Sequence, residues 1–138
     1  MTSNTASPLA RPFPAIPEIG GVTRRIARAR YKTWDRCDLT FMTFDEGTSV
    51  AGVLTQSKCP SSEVDWCREH LPQGKARALV VSAGNANAFT GRRGREAVEA
   101  VTARVAKHLQ CPVETVFVSA TGVIGVPLPI HKAEAGLD

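Results

Sequence analysis

The sequence lacks the features that define several large classes of protein. Its 138 residues hold no run of about eighteen apolar side chains, the length that a membrane-spanning helix requires. The N-terminal stretch MTSNTASPLARPFP has neither the basic start nor the apolar core of a secretory signal. We therefore expect a cytoplasmic protein.

Cysteine is also scarce, and its spacing excludes the common metal sites. The four cysteines stand at positions 37, 59, 67 and 111, and no two of them form a CxxC pair. Cys67 and His70 lie one helical turn apart and would supply half of a metal site, but the sequence offers no second half. We therefore predict no metal and no cofactor, and four reduced, mostly buried thiols.

Charge is unevenly distributed along the chain. Residues 1–36 carry a net charge of +5 and the remainder carries −1, within a total of +4. Such a local excess can mark a nucleic-acid surface. Only Tyr31 and Trp34 lie near the basic cluster at 24–36 to stack on bases, so a solvated face or a contact with another chain competes with that interpretation. The basic residues are Arg11, Arg24, Arg25, Arg28, Arg30, Lys32 and Arg36.

The segment from Arg77 to Gly125 has the most regular pattern in the chain. The apolar run from Ala76 to Ala83 predicts a strand that is buried on both faces. A loop of small residues follows, GNANAFTGRRG, and then a helix from near Gly91 to about Leu109. The stripe that should pack this helix on a sheet consists of Val98, Val101, Val105 and Leu109.

A second strand and a second loop of small residues complete this segment. Thr115 to Ser119 predicts a strand, and ATGVIG at 120–125 predicts the loop after it. Two strands that open into loops with few side chains favour backbone amides presented to a ligand. This is the strongest site-like feature of the sequence.

The flanking regions are predicted to be simpler. Four prolines in residues 1–18 indicate an extended N-terminal arm, followed by an α/β domain over 19–138 that is incomplete. Residues 38–55 alternate as two strands around a DEG turn and predict an antiparallel hairpin. A short helix from Ser61 or Ser62 should pack through Val64, Cys67 and Leu71. We expect no closing strand and no capping element after GVIGVPLPIHKAEAGLD, the last stretch of the sequence.

Three arginines at the start of the long helix allow a different function. Arg92, Arg93 and Arg95 oppose the helix dipole unless an anion or a carboxylate lies nearby. The alternative to an enzyme is therefore a non-catalytic module that binds an anion or a nucleic acid through these arginines and the basic N-terminal region. The loop matches neither GxGxxG nor the phosphate-binding P-loop pattern, so exposed arginines remain the simpler interpretation.

Six motifs, in order, carry a family resemblance. They are AIPEIGGV, RYK at 30–32, FDEGTSVAGVLTQSKCP, VDWCREHL, ARALVVSAGNANAFTG and ATGVIGVPLP. Together they resemble the N-terminal part of the α chain of ornithine acetyltransferase, the bifunctional glutamate N-acetyltransferase of arginine biosynthesis. The resemblance implies a mixed-sheet αβ sandwich, of which this chain is the N-terminal portion.

The resemblance also implies a mechanism. A precursor cleaves itself, and the new N-terminal threonine of the β chain takes the acetyl group from N-acetylornithine and passes it to glutamate. The oxyanion hole falls to Thr121 and Gly122, which match the family's Thr-Gly pair. Two α and two β chains form a heterotetramer, and some members accept acetyl-CoA as the donor. The nucleophile and the cleavage junction lie beyond residue 138, so this chain alone should be inactive.

Overall fold

A four-stranded mixed sheet forms the centre of the fold. The computed structural model describes residues 9, 11–12, 14–15 and 17–137. Strand β1 pairs antiparallel with β2, β2 pairs antiparallel with β3, and β3 pairs parallel with β4, so the strand order follows the sequence. The strands are β1 (Val22–Ala27), β2 (Leu39–Phe44), β3 (Ala78–Asn85) and β4 (Val116–Val123). The mixed α/β architecture predicted from the sequence is confirmed.

Within the described residues, three α-helices accompany the sheet, and two short 3₁₀ turns precede β3 and β4. The helices are α1 (Ser62–His70), α2 (Arg92–Leu109) and α3 (Ile130–Leu137). Helix α2 is the predicted helix, and its stripe of Val98, Val101 and Val105 lies in the core. This stripe packs against Val80 of β3 and Val118 of β4, which project from the same face of the sheet.

Helix α1 covers the outer edge of β4 as well as packing on α2. The indole nitrogen of Trp66 donates a hydrogen bond of 2.8 Å to the Val116 carbonyl, and the Cys67 thiol lies 3.4 Å from the Val118 carbonyl. These contacts satisfy backbone groups that an edge strand would otherwise leave open. The predicted packing face of Val64, Cys67 and Leu71 is only half-buried, and Cys67 is the member that contacts β4. The fully buried residues of this helix, Glu63 and Trp66, were not predicted.

The predicted hairpin over residues 38–55 does not form. Residues 50–57 have no regular structure, and Val53 is 98% exposed. The antiparallel partners of β2 are instead β3 and β1, and β1 carries Arg24 and Arg25. Charged side chains are common on an edge strand because they discourage further pairing, and here they mask the strand periodicity.

The C-terminal stretch contains a helix that the sequence analysis did not predict. Helix α3 follows Gly125 and packs against α2 and β2, with Ala133 buried in the core. The predicted N-terminal arm lies mostly outside the described residues. Those of its residues that are described are exposed and belong to no helix or strand.

The two faces of the sheet differ in burial, so the prediction of a strand buried on both faces is wrong. Ala78, Val80 and Ser82 of β3 point towards the helices and are buried. Leu79 and Val81 point to the other face and are only half-buried. Ile26 of β1 lies on this second face and is 64% exposed.

One buried carboxylate fixes the connection between β1 and β2. Asp38 accepts hydrogen bonds from three consecutive backbone amides, those of Ala29, Arg30 and Tyr31, at 2.7, 3.2 and 2.8 Å. Arg30 has a positive φ of 56°, an unfavourable conformation for an arginine. The charge-assisted bonds from these amides hold the chain in this turn.

We expect Asp38→Asn to destabilise the chain by about 1.5–3 kcal/mol, because an amide nitrogen would face backbone N–H donors in a buried site. Equilibrium denaturation in urea measures the loss. Asp35→Asn is the control, since the Asp35–Arg28 ion pair is exposed and should change the unfolding free energy by less than about 1 kcal/mol. Equal losses in the two variants would contradict the role of Asp38.

Candidate active site

The predicted pair Thr121 and Gly122 lies near the end of β4. The strand extends to Val123, so both residues belong to the strand and not to the loop that was predicted to start at Ala120. Both are exposed. Thr121 pairs with Ala83 of β3, and strand alternation places its side chain on the face of the sheet opposite the helices.

Gly122 is fixed by a very close approach of the two parallel strands. Its φ is +133°, and a Cβ atom at this position would lie 2.4 Å from the Gly84 carbonyl carbon and 2.6 Å from the Asn85 nitrogen. The pairing register is irregular here, because Asn85 pairs with both Thr121 and Val123. Only glycine fits this position, so its backbone is presented at the strand end with no side chain in front of it.

The loop after β3 holds the loop after β4. The Ala86 amide donates to the Val123 carbonyl at 2.9 Å, and the Gly125 amide donates to the Ala88 carbonyl at 2.8 Å. The predicted loops of small residues are therefore joined side by side at one edge of the sheet. The sequence placed Thr121 and Gly122 correctly near a strand end, but it did not indicate this cross-linking.

A buried polar network supports the first loop. The Asn87 side-chain nitrogen donates to Glu63 Oε1 at 2.9 Å and to the Gly94 carbonyl at 3.0 Å, and the Thr90 hydroxyl donates to the Asn87 carbonyl. Burial raises the pKa of the Glu63 carboxyl above its ordinary value. The two asparagines of GNANA were a signal for this network, but Glu63 had none, because the packing face predicted for its helix did not include it.

The three arginines at the start of α2 are placed as the simpler interpretation predicted. Arg95 forms a bidentate pair with Glu69, at 2.8 and 2.9 Å, and a third bond to Glu99. Arg92 lies 3.5 Å from Glu96, and Arg93 is exposed. An open groove of about 560 Å³ runs past these residues, yet carboxylates already neutralise Arg95 there. The geometry gives the anion-binding alternative no support.

The histidines and cysteines form no catalytic or metal cluster in the described part of the chain. His108 and His131 are exposed, and the His70 ring packs 4.2 Å from that of Trp66. Within the described residues, no group of three or more His, Cys, Asp or Glu side chains is placed to hold a metal ion. All four cysteines are free; Cys37 and Cys59 are exposed, so the prediction of mostly buried thiols is wrong.

Among the described residues, no helix is long and apolar enough to cross a membrane.

Comparison with known proteins identifies the family. A match to the ArgJ family covers residues 23–138. The chain belongs to the ArgJ family. It is 60% identical over 133 residues to the arginine biosynthesis bifunctional protein ArgJ of Zymomonas mobilis, and 52% identical over 131 residues to that of Mesorhizobium japonicum. These alignments cover 96% and 94% of the chain but only 32% of each relative, so the chain spans about a third of their length.

Two solved structures of the family share the fold. The crystal structure of ArgJ from Bacillus halodurans superimposes with a TM-score of 0.80 at 30% identity, covering 86% of this chain and 62% of that one. Ornithine acetyltransferase of Mycobacterium tuberculosis, solved with ornithine, gives a TM-score of 0.77 at 30% identity and covers 86% and 64%. The resemblance predicted from the motifs is therefore confirmed at the level of family and fold.

The approach of Gly122 to β3 predicts that its replacement is costly. Gly122→Ala should destabilise the chain by more than about 3 kcal/mol, because a backbone clash adds to the strain of a positive φ. Thermal and urea unfolding measure the loss. Gly125→Ala is the matched control: its φ is +79°, but nothing lies within 4 Å of the added atom, so it should lose only about 1–2 kcal/mol. Equal losses would contradict the close approach.

The buried Glu63 carboxyl predicts a pH dependence of stability. Its pKa is raised above 4.5 in the folded chain, so the folded state retains a proton that the unfolded state releases as the pH rises. Stability from this group is thus present below pH 4.5 and is lost as the pH rises through the folded-state pKa. Glu63→Gln keeps a carbonyl oxygen for Asn87 and should gain stability relative to wild type with increasing pH. A constant difference between the two unfolding free energies across pH 4 to 8 would contradict the raised pKa.

Proposed function

We propose that this chain supplies the oxyanion hole of an acetyltransferase that moves an acetyl group from N-acetylornithine to glutamate in arginine biosynthesis. Thr121 and Gly122 are the proposed donors, one through its hydroxyl and the other through its backbone amide. The observation that carries this proposal is the Thr-Gly pair of an ArgJ-family chain at an exposed strand end, with a backbone that admits only glycine.

The chemistry explains why such a pair would be useful. A hydroxyl nucleophile attacks the acetyl carbonyl carbon. The carbonyl oxygen then becomes negatively charged in a tetrahedral intermediate. The C–N bond of N-acetylornithine then breaks, ornithine leaves with a proton, and an acetyl ester remains on the enzyme. The glutamate amine then attacks the ester carbonyl carbon through a second tetrahedral intermediate. The ester C–O bond breaks, the proton lost by the amine returns to the hydroxyl oxygen, and the acetylated glutamate leaves. Fixed donors lower both barriers, and removal of one typically costs about 2.7–4 kcal/mol.

The nucleophile of the proposed reaction belongs to a partner. We assign it to the N-terminal threonine of a β chain, in a heterotetramer of two α and two β chains. The face of the sheet that carries Thr121 is only partly covered, because Leu79 and Val81 are half-buried and Ile26 is exposed on it. This incomplete burial supports the proposal of an additional layer. Packing of a second layer there would remove this apolar surface from water and bring the partner close to Thr121.

The reaction requires no metal or organic cofactor in this proposal. The acetyl group moves between two amines through an ester, and hydrogen-bond donors and a nucleophile are sufficient for that chemistry. Acetyl-CoA remains a proposed alternative donor, because its thioester would pass through the same type of tetrahedral intermediate.

A chimera tests the proposal directly. In it, residues 1–138 replace the corresponding third of the Zymomonas mobilis relative, and the unmodified relative is the positive control. Thr121→Ala should reduce kcat for ornithine release from N-acetylornithine by about 10²–10³-fold, because one donor to the oxyanion is lost. Thr121→Ser should retain most of the activity, since it keeps a hydroxyl. Full kcat in Thr121→Ala, or an inactive unmodified chimera, would refute the proposed function.

A further inference from the structure

We propose that Asn85 is the positioning residue that sets the orientation of the Thr121–Gly122 backbone. This inference rests on the proposed function and assigns the support on which it depends. Asn85 would not touch the substrate. Its side chain is instead 1% exposed and lies between the loop after β3 and the loop after β4.

Every hydrogen-bonding group of the Asn85 side chain is engaged. Its nitrogen donates to the Val126 carbonyl at 2.7 Å and to the Pro127 carbonyl at 3.2 Å. Its oxygen accepts a bond of 2.9 Å from the Asn87 amide. The Asn85 side chain thus joins the two loops beyond Val123, in addition to the backbone hydrogen bonds from Ala86 and Gly125.

The backbone of Asn85 is equally close to the proposed donors. It pairs with Thr121 and with Val123, the two residues that flank Gly122. Asn85 therefore holds the end of β4 at two points. Its backbone pairs on either side of Gly122, and its side-chain amide bonds to the Val126 carbonyl, four residues after Gly122. Because both attachments start from one residue, a shift of Asn85 would move the strand end as a unit.

Asn85 is itself anchored to the helices. The Asn85 side-chain oxygen accepts a hydrogen bond from the Asn87 backbone amide. The Asn87 side chain is completely buried and donates to Glu63 on α1 and to the Gly94 carbonyl on α2. The loop of small residues is thereby tied to two helices on one side and to the strand end on the other. This arrangement fits a framework for donors that must not move during the reaction, since their value depends on preorganisation.

The inference predicts a separation of kcat from KM. The oxyanion exists only in the transition state and the tetrahedral intermediate, so misplaced donors lower kcat and leave ground-state binding unchanged. A displacement of about 1 Å can cost about 10²-fold in rate. We therefore expect a loss of kcat of at least about tenfold, with KM for N-acetylornithine changed by less than about twofold.

The test uses Asn85→Asp and Asn85→Ala in the same chimera. Asn85→Asp keeps the oxygen that accepts from Asn87 but turns a second oxygen towards the Val126 and Pro127 carbonyls. Asn85→Ala removes the bonds without this repulsion and covers the case in which the aspartate variant fails to fold. Calorimetric titration with ornithine counts the folded sites, and kcat is expressed per site.

Trp66→Phe is the matched control, because it removes one buried hydrogen bond to the same strand at its opposite end, the Val116 carbonyl. It should lose stability while keeping its kcat per site. Wild-type kcat per site in Asn85→Ala, or an equal loss in Trp66→Phe, would overturn the assignment of Asn85. If Thr121→Ala is impaired in the same experiment, such a result leaves the proposed function intact. Full activity in Thr121→Ala overturns both.

Discussion

The contact between Gly84 and Gly122 is the constraint on which the structure of the candidate site depends. Two parallel strands approach so closely at this point that a single methyl group on Gly122 would overlap the backbone of β3. Regular pairing ends there, and the two chains continue as adjoining loops. Hydrogen bonds from Ala86 and Gly125 and the buried Asn85 amide replace the missing ladder bonds.

This constraint links the fold to the proposed chemistry. An oxyanion hole works only when its donors are fixed before the reaction, because reorganisation during the reaction would consume the stabilisation that they supply. A strand end closed by backbone contacts, and supported from α1 and α2 through Glu63 and Asn87, provides such rigidity. The exposure of Thr121 and Gly122 leaves them accessible to a substrate or to a partner chain.

The sequence predicted the elements whose periodicity reflects burial. Helix α2 and strand β3 were located to within about two residues, since their apolar patterns arise from packing in the core. Strand β1 has no recognisable sequence pattern because Arg24 and Arg25 on an edge strand obscure any alternation, whereas residues 50–55 alternate like a strand and form none. The site was predicted only in part: the Thr-Gly pair has a recognisable motif, whereas the buried Asn85 and Glu63 act through tertiary contacts that no spacing along the chain reveals.

The most direct measurement of the central claim is a crystal structure of the chimera with a methylphosphonate ester on its nucleophile, a stable mimic of the tetrahedral intermediate. If Thr121 and Gly122 form the oxyanion hole, one phosphonate oxygen lies about 2.7–3.1 Å from both the Thr121 hydroxyl and the Gly122 amide nitrogen. A phosphonate oxygen bound by other donors, with Thr121 and Gly122 turned away from it, would show that this pair does not stabilise the oxyanion.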